Sequence, residues 1–289
     1  MISVASPKVV LGWMFFISGR IKFNKIWVGA NLYFCKKISG LHSSENTKWF
    51  EEWFDSDHYH LLYGHRNEEE ADLFTNALLR LLQPAAGAAV LDMACGRGRH
   101  SFSLFKKGLK VTGIDLSARN IAFAKQQEMD GLQFFIHDMR KPFRVNYYDI
   151  ALNLFTSIGY FDRQKEDADV VKAAAMGLNS GGFFVIDFMN ASKVLQGLVK
   201  KENKTVDGIL FTIEREFTEN IITKKITFTC EGKEHCFIEK VRALRRADFE
   251  SFFLTAGLKT LHLFGDYSLG PYDEKNSPRL ILVAQKIPE

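Results

Sequence analysis

Apolar and polar positions alternate in two distinct periods along this chain. Trp49, Phe50, Trp53, Phe54 and Tyr59 recur at near-helical spacing and predict a short aromatic helix. Asn67, followed by Glu68, Glu69 and Glu70, reads as a capping box. The helix it opens runs through Leu73, Phe74, Leu78 and Leu81 and stops at Pro84. Beyond it, short apolar runs predict strands at Ala89–Met93, Val111–Asp115, Leu132–His137, Asp149–Leu154 and Phe183–Phe188. Helical periods fall between them, at His100–Lys107, Ala118–Met129 and Asp162–Leu178. Such alternation implies a parallel sheet covered by helices on both faces.

The period then changes. Ile209–Phe217, Ile221–Cys230 and Cys236–Val241 predict three antiparallel strands, an inserted ribbon spanning about 205–243. A helix at Arg246–Ala256, stopped by Gly257, leads back to the main sheet through strands Lys259–Phe264 and Arg279–Gln285. Phe155, Tyr160 and Tyr267 stand where an incoming substrate would be met, and the ribbon and the loop around Tyr267 are expected to roof a cleft.

Charge divides the chain unevenly. Residues 1–44 hold six basic residues and no acid, within a net charge of +4. Removing those six from the 38 basic residues leaves 32 against 34 acidic ones, so the remainder is slightly acidic. That argues against a nucleic-acid partner, which needs clustered basic charge. The apolar runs of the basic start, Val9–Ser18 and Ile26–Cys35, fall short of the roughly 20 residues that span a bilayer. This start is compatible with an interfacial membrane contact, a targeting segment or a plain extension. The division is thus 1–44 as extension and 45–289 as the main domain. Four cysteines without metal-ligand spacing imply a reducing, cytoplasmic setting and no structural metal.

The chemistry concentrates at strand ends. The first strand enters Asp92-Met93-Ala94-Cys95-Gly96-Arg97-Gly98, a glycine turn that lets a ligand approach the backbone. Nicotinamide and flavin enzymes use similar turns. Carboxylates discriminate between the cofactors: Asp92 ends the first strand, Asp115 the second, and Asp138 follows the third. A pyrophosphate is repelled by an acid at position 92, whereas a ligand with an ammonium, a sulfonium and a ribose diol suits all three.

Val90-Leu91-Asp92 through His100, Val111-Thr112-Gly113-Ile114-Asp115-Leu116-Ser117, Asp138-Met139-Arg140 and Asn153-Leu154-Phe155-Thr156-Ser157 together resemble the motifs of class I S-adenosylmethionine-dependent methyltransferases. The likeness extends from Trp49 to Ser277-Pro278-Arg279. It implies a Rossmann-like α/β fold, a seven-stranded sheet in order 3-2-1-4-5-7-6, with S-adenosyl-L-methionine as cofactor. It implies that Asp92 orients the methionine amino group beside Ala94, Cys95, Gly96 and Gly98, and that Asp115 holds the ribose hydroxyls. Leu116 would pack on adenine, Asp138 and Met139 would read its edge, and Asn153 would line the methyl. Tyr63 and Arg66 belong to an element that closes over the cofactor in relatives. The resemblance names no catalytic residue. His100 reads as a helix start and Cys95 as a small filler beside the cofactor. The expected activity is methyl transfer to an N or O nucleophile of a small or medium-sized acceptor, the competing reading being a protein that binds the cofactor without turnover.

Overall fold

The computed structural model describes residues 49–63 and 68–288. The N-terminal extension, Arg66 and the capping position Asn67 lie outside them.

The aromatic segment forms two helices in place of one, α1 (Trp49–Phe54) and α2 (Asp57–Leu62). Ser56 is the reason: its backbone is extended and its hydroxyl caps the second helix, accepting from the Tyr59 amide at 3.1 Å. Next come α3 (Glu68–Leu82), β1 (Ala89–Met93), α4 (Arg99–Lys106), β2 (Lys110–Asp115), α5 (Ala118–Ala124) and β3 (Leu132–Ile136). The helix expected to reach Met129 thus ends five residues early, continued by a 3₁₀ turn over Lys125–Gln127. β4 (Tyr148–Asn153), α6 (Gln164–Gly177), β5 (Leu178–Met189) and α7 (Ala191–Gln196) complete the first half.

These strands join β10 (Leu258–Phe264) and β11 (Arg279–Lys286) in one sheet of order β10-β11-β5-β4-β1-β2-β3. Renumbered along this sheet alone, that is the expected 3-2-1-4-5-7-6. β11 pairs antiparallel with both its neighbours and the other contacts are parallel. Successive residues of the central strands serve opposite cores, which is why they read as continuous apolar runs. Leu91, Phe184 and Ile186 pack with Val170 and Val171 of α6. Phe249 and Phe253, from α8 (Arg246–Thr255), join the same layer. Val90, Val185 and Ile281 pack with Phe74 of α3, Leu104 of α4 and Ile121 of α5.

The ribbon has four strands, which corrects the expected three: β6 (Lys201–Val206), β7 (Ile209–Thr218), β8 (Ile221–Cys230) and β9 (Lys233–Arg242). β6 escaped the hydrophobic pattern because Lys-Glu-Asn-Lys-Thr-Val carries almost no apolar residue, as suits an edge strand. Each link between these strands is a two-residue hairpin turn with both residues left-handed: Asp207-Gly208, Glu219-Asn220 and Glu231-Gly232. The Asp-Gly pair just before Ile209 was the available sign of a preceding strand. One ribbon face packs Phe211, Ile213, Ile226 and Phe228 against Trp53 and Leu62, so α1 and α2 are held by the ribbon.

Candidate active site

β1 lies between β2 and β4, where the sheet order reverses, and that switch point opens the crevice expected of such folds. A cavity of about 570 Å³ occupies it, within the range of small-molecule sites. One end is built by the sheet. Asp92 and Asp115 are both in its wall, with Ala94, Cys95, Gly96, Leu116, Asp138, Met139, Phe155 and Tyr160. The ribbon contributes Arg215, Ile222, Lys224, Glu239 and Val241, and α1–α2 span the two walls through Phe54, Tyr59, His60 and Tyr63. Tyr63 meets Glu239, while His60 bonds Asn120, just beyond Asp115, at 3.0 Å.

The turn after β1 carries left-handed residues at Ala94 (φ 59°), Gly96 (φ 56°) and Gly98 (φ 86°). For Ala94 this conformation costs about 1–2 kcal/mol, a strain of the kind stored at functional sites. Asp115 closes the turn: one carboxylate oxygen accepts from the Gly96 amide and the other from the Ser117 amide, each at 2.8 Å. Burial raises the Asp115 pKa in spite of these bonds. Asp92 is 2% exposed and accepts from the Ser101 hydroxyl at 2.6 Å. Its pKa is raised to about 6, first by burial, against the Ser101 bond, and further by the Asp115 charge. Neither carboxylate has an ion-pair partner among the described residues, although Arg97, Arg99 and Arg140 line the same end of the cleft. Asn153, expected to line the cofactor, is fully buried and does not line the cavity; its amide NH₂ donates to the Met93 carbonyl at 3.3 Å, and its Oδ1 is a buried acceptor that no protein donor reaches. A cationic ligand with hydroxyl donors fits this set of acceptors, and a pyrophosphate does not.

Gly98 does not line the cavity. A Cβ there would stand 2.8 Å from the Phe134 ring, so its role is to let α4 approach β3. Asp138 is less available than the sequence implied: its carboxylate is gripped by Arg140 through Nε at 3.0 Å and Nη2 at 2.6 Å. Burial pulls its pKa up, but the Arg140 hydrogen bonds outweigh burial and leave it below the ordinary value. Burial raises the Cys95 thiol and lowers the His100 imidazole to about 3, so both are neutral and neither is poised as a nucleophile or a charged acid.

Tyr267, expected to meet substrate, does not line the cavity. Its ring packs on Phe74 at 4.8 Å and its hydroxyl donates to Asp187 at 3.1 Å. The roof is therefore the ribbon with α1–α2, and the loop around Tyr267 braces the wall from behind. Asp187, which no motif singled out, organises that wall. It accepts from the Phe155 amide at 2.8 Å and from Arg279 Nε at 2.7 Å. Arg279 also donates to the Thr156 hydroxyl at 3.1 Å. This network holds Phe155 (φ 69°) and Thr156 (φ 57°) in the left-handed region, which non-glycine residues rarely adopt. Two guanidinium groups approach the Phe155 ring, Arg99 at 4.9 Å and Arg279 at 5.8 Å from its centre. Arg215, Lys224 and Glu239 of the ribbon were also missed, since alternation of charge in a ribbon ordinarily marks its solvent side. Among the described residues no cluster of His, Cys, Asp and Glu could hold a metal, and no helix is long and apolar enough to cross a membrane.

Comparison with known proteins agrees with this arrangement. Residues 84–235, more than half of the chain, match the family described as methyltransferase domain. The chain is 25% identical over 226 residues to dTDP-3-amino-3,4,6-trideoxy-alpha-D-glucopyranose N,N-dimethyltransferase of Streptomyces venezuelae, covering 73% of this chain and 92% of that one. It is 27% identical over 105 residues to a ubiquinone biosynthesis O-methyltransferase of Sodalis glossinidius, covering 36% and 42%. The fold matches an S-adenosylmethionine-dependent methyltransferase of Clostridium acetobutylicum with a TM-score of 0.68 at 21% identity, over 79% of this chain and 96% of that one. The chain belongs to the methyltransferase-domain family and is an S-adenosylmethionine-dependent methyltransferase.

Proposed function

We propose that the sheet end of the cleft holds the cofactor and that the ribbon end receives a small or medium-sized acceptor, methylated on an N or O nucleophile. The observation that carries this reading is that one cavity joins two unlike walls. The sheet wall holds the carboxylates Asp92 and Asp115, without ion-pair partners among the described residues; the ribbon wall holds aromatic rings and the paired charges Lys224 and Glu239. Asp92 pairs with the cofactor's amino group and Asp115 with its ribose hydroxyls. Ala94, Cys95 and Gly96 give its methionine part a backbone surface to lie on, while Leu116 and Met139 flank the adenine. Asp138 shares its carboxylate between Arg140 and the adenine edge. Asn153, buried behind the cavity wall, would act on the methyl only through its neighbours Met93 and Met139. Tyr63 lies on the ribbon side, and Arg66 is proposed for the methionine carboxylate on sequence alone.

When bound, S-adenosylmethionine supplies a methyl group whose sulfonium leaving group is already good. The protein's task is then alignment and exclusion of water. Phe155 and Thr156, fixed by Asp187 and Arg279, hold the wall against which an acceptor is aligned. Tyr160 lies 5.2 Å from Phe54, ring to ring, and with Tyr59 lines the approach from the acceptor side. The relatives include enzymes named for amino-sugar N-methylation and for O-methylation, so similarity leaves the acceptor atom open.

The test is cofactor titration by calorimetry alongside transfer of labelled methyl from S-adenosylmethionine to fractionated cell extract. Saturable binding and a labelled small molecule are expected. Tight binding with no label transferred to any fraction would favour a silent cofactor-binding protein, and labelled nucleic acid would overturn the small-molecule acceptor.

A further inference from the structure

The ribbon face turned to the cleft is built in rows across the strands. Ile213, Ile226 and Phe237 stand in register in one row, and Ile222 and Val241 in another. Between them the register aligns Arg215, Lys224 and Glu239. Their side chains are only 20%, 15% and 14% exposed, and all three line the cavity. A charged row between apolar rows is a poor choice for stability alone, because a buried ion pair is commonly matched or bettered by packed apolar residues. Its retention calls for something on the cleft side.

The surroundings of Glu239 say what that is. Its Oε1 accepts from the Trp53 indole at 2.5 Å and from the Tyr63 hydroxyl at 2.9 Å. Its Oε2 faces the Lys224 ammonium at 3.3 Å. That ammonium also donates to the Tyr63 hydroxyl and lies 4.6 Å from the centre of the Tyr63 ring. The Tyr59 ring lies tilted beside Tyr63 at 4.8 Å, and Phe54 meets Tyr59 edge to face at 5.0 Å. A carboxylate, a phenol oxygen and the Tyr63 ring around one point form an ammonium site, and the protein's own lysine occupies it.

We propose that Glu239 anchors an amine nitrogen of the acceptor and that Lys224 is an internal stand-in which the amine displaces. This rests on the reading of the ribbon end as the acceptor site, and deepens it by naming the acceptor class as a primary or secondary amine. The acceptor binds as its ammonium and releases one proton to bulk water; the neutral amine's lone pair then forms the N–C bond while the S–C bond breaks, its electron pair going to sulfur. The positive charge thereby moves from sulfur to nitrogen, and a carboxylate already aimed at the nitrogen stabilises it as it develops.

The test uses matched probes: dTDP-3-amino-3,4,6-trideoxy-α-D-glucopyranose and its 3-hydroxy counterpart, titrated by calorimetry into the protein saturated with S-adenosylhomocysteine. This readout needs no turnover. The amine is expected to bind about tenfold or more tighter than the alcohol, and Glu239→Gln to remove that preference while cofactor-product affinity stays unchanged. Glu239→Asp should restore part of it. Lys224→Met, which keeps the stem and removes the competing ammonium, should tighten amine binding roughly threefold or more. Equal or absent binding of the two probes, a preference that survives Glu239→Gln, or weaker amine binding in Lys224→Met overturns the assignment. An intact amine preference without methyl transfer would support the anchor and sink the turnover reading instead.

Discussion

The two ends of the cleft present charge in different ways. At the sheet end, Asp92 and Asp115 come from the ends of adjacent parallel strands, so chain topology alone brings them together. They are buried like-charged neighbours, with hydrogen bonds from Ser101, Gly96 and Ser117 as their protein partners. At the ribbon end, charges lie across the strands as neutralised pairs, Arg215 with Glu202 and Lys224 with Glu239. The two acids of the first end lack ion-pair partners among the described residues, whereas the charges of the second are paired within the protein. On the proposed assignment, the sheet end is the fixed part of the site and the ribbon end the part that can be re-specified by changing side chains.

The largest effect should come from the wall between the two ends. Arg279→Met leaves Asp187, 1% exposed at its side chain, without its guanidinium. Urea denaturation should show a loss of about 3–5 kcal/mol, the range for breaking a buried pair. Arg215→Met in the ribbon, where Glu202 is 41% exposed, should lose about 1 kcal/mol or less. Equal losses would erase the distinction between the two ends.

Cofactor affinity should follow the sheet end alone. Asp115→Asn removes a charged acceptor and should weaken S-adenosylmethionine binding by about 2–3 kcal/mol, roughly 30- to 150-fold in calorimetry. Glu239→Gln should leave it within about twofold. Retained affinity in Asp115→Asn would break the assignment of that carboxylate.

Backbone tolerance separates the regions more gently. A Cβ at Gly113 would stand 2.6 Å from the Phe134 ring and 2.9 Å from the Cys95 sulfur, so Gly113→Ala should cost about 1–3 kcal/mol by overpacking. At Gly232 a Cβ meets open space, and the left-handed φ of 72° leaves only the conformational cost of about 1–2 kcal/mol. Thermal melts of the two variants would show whether Gly113 is the less tolerant.

The smallest effect is a pH dependence. Asp92 titrates near 6 in the free protein. A cationic ligand needs it ionised, so affinity should fall as pH drops through about 6, by up to about tenfold per pH unit. The same raised pKa acts oppositely on the free protein. Asp92's contribution to stability is fully present below the unfolded value of 3.8 and is lost as pH rises through about 6. A flat affinity between pH 5 and 7 would remove Asp92 from the cofactor's charge balance.

Local pattern determined the sheet. Strands buried on both faces write themselves as continuous apolar runs, and parallel strands put their last residues along one crevice, so Asp92 and Asp115 could be placed from sequence alone. β6 was lost because a polar edge strand leaves no hydrophobic signal, and α1–α2 were merged because a single Ser56 cap divides them. Only the tertiary structure showed that Asp187 and Arg279 meet across 92 residues, that Tyr267 stands behind the wall, and that Arg215, Lys224 and Glu239 form one row. Periodicity tells which face of a strand a residue takes, but the partner opposite it depends on register, and register is set by pairing with other strands. The sheet end rests on sequence-local geometry and could be read from the chain; the ribbon end rests on cross-strand pairing and required the fold.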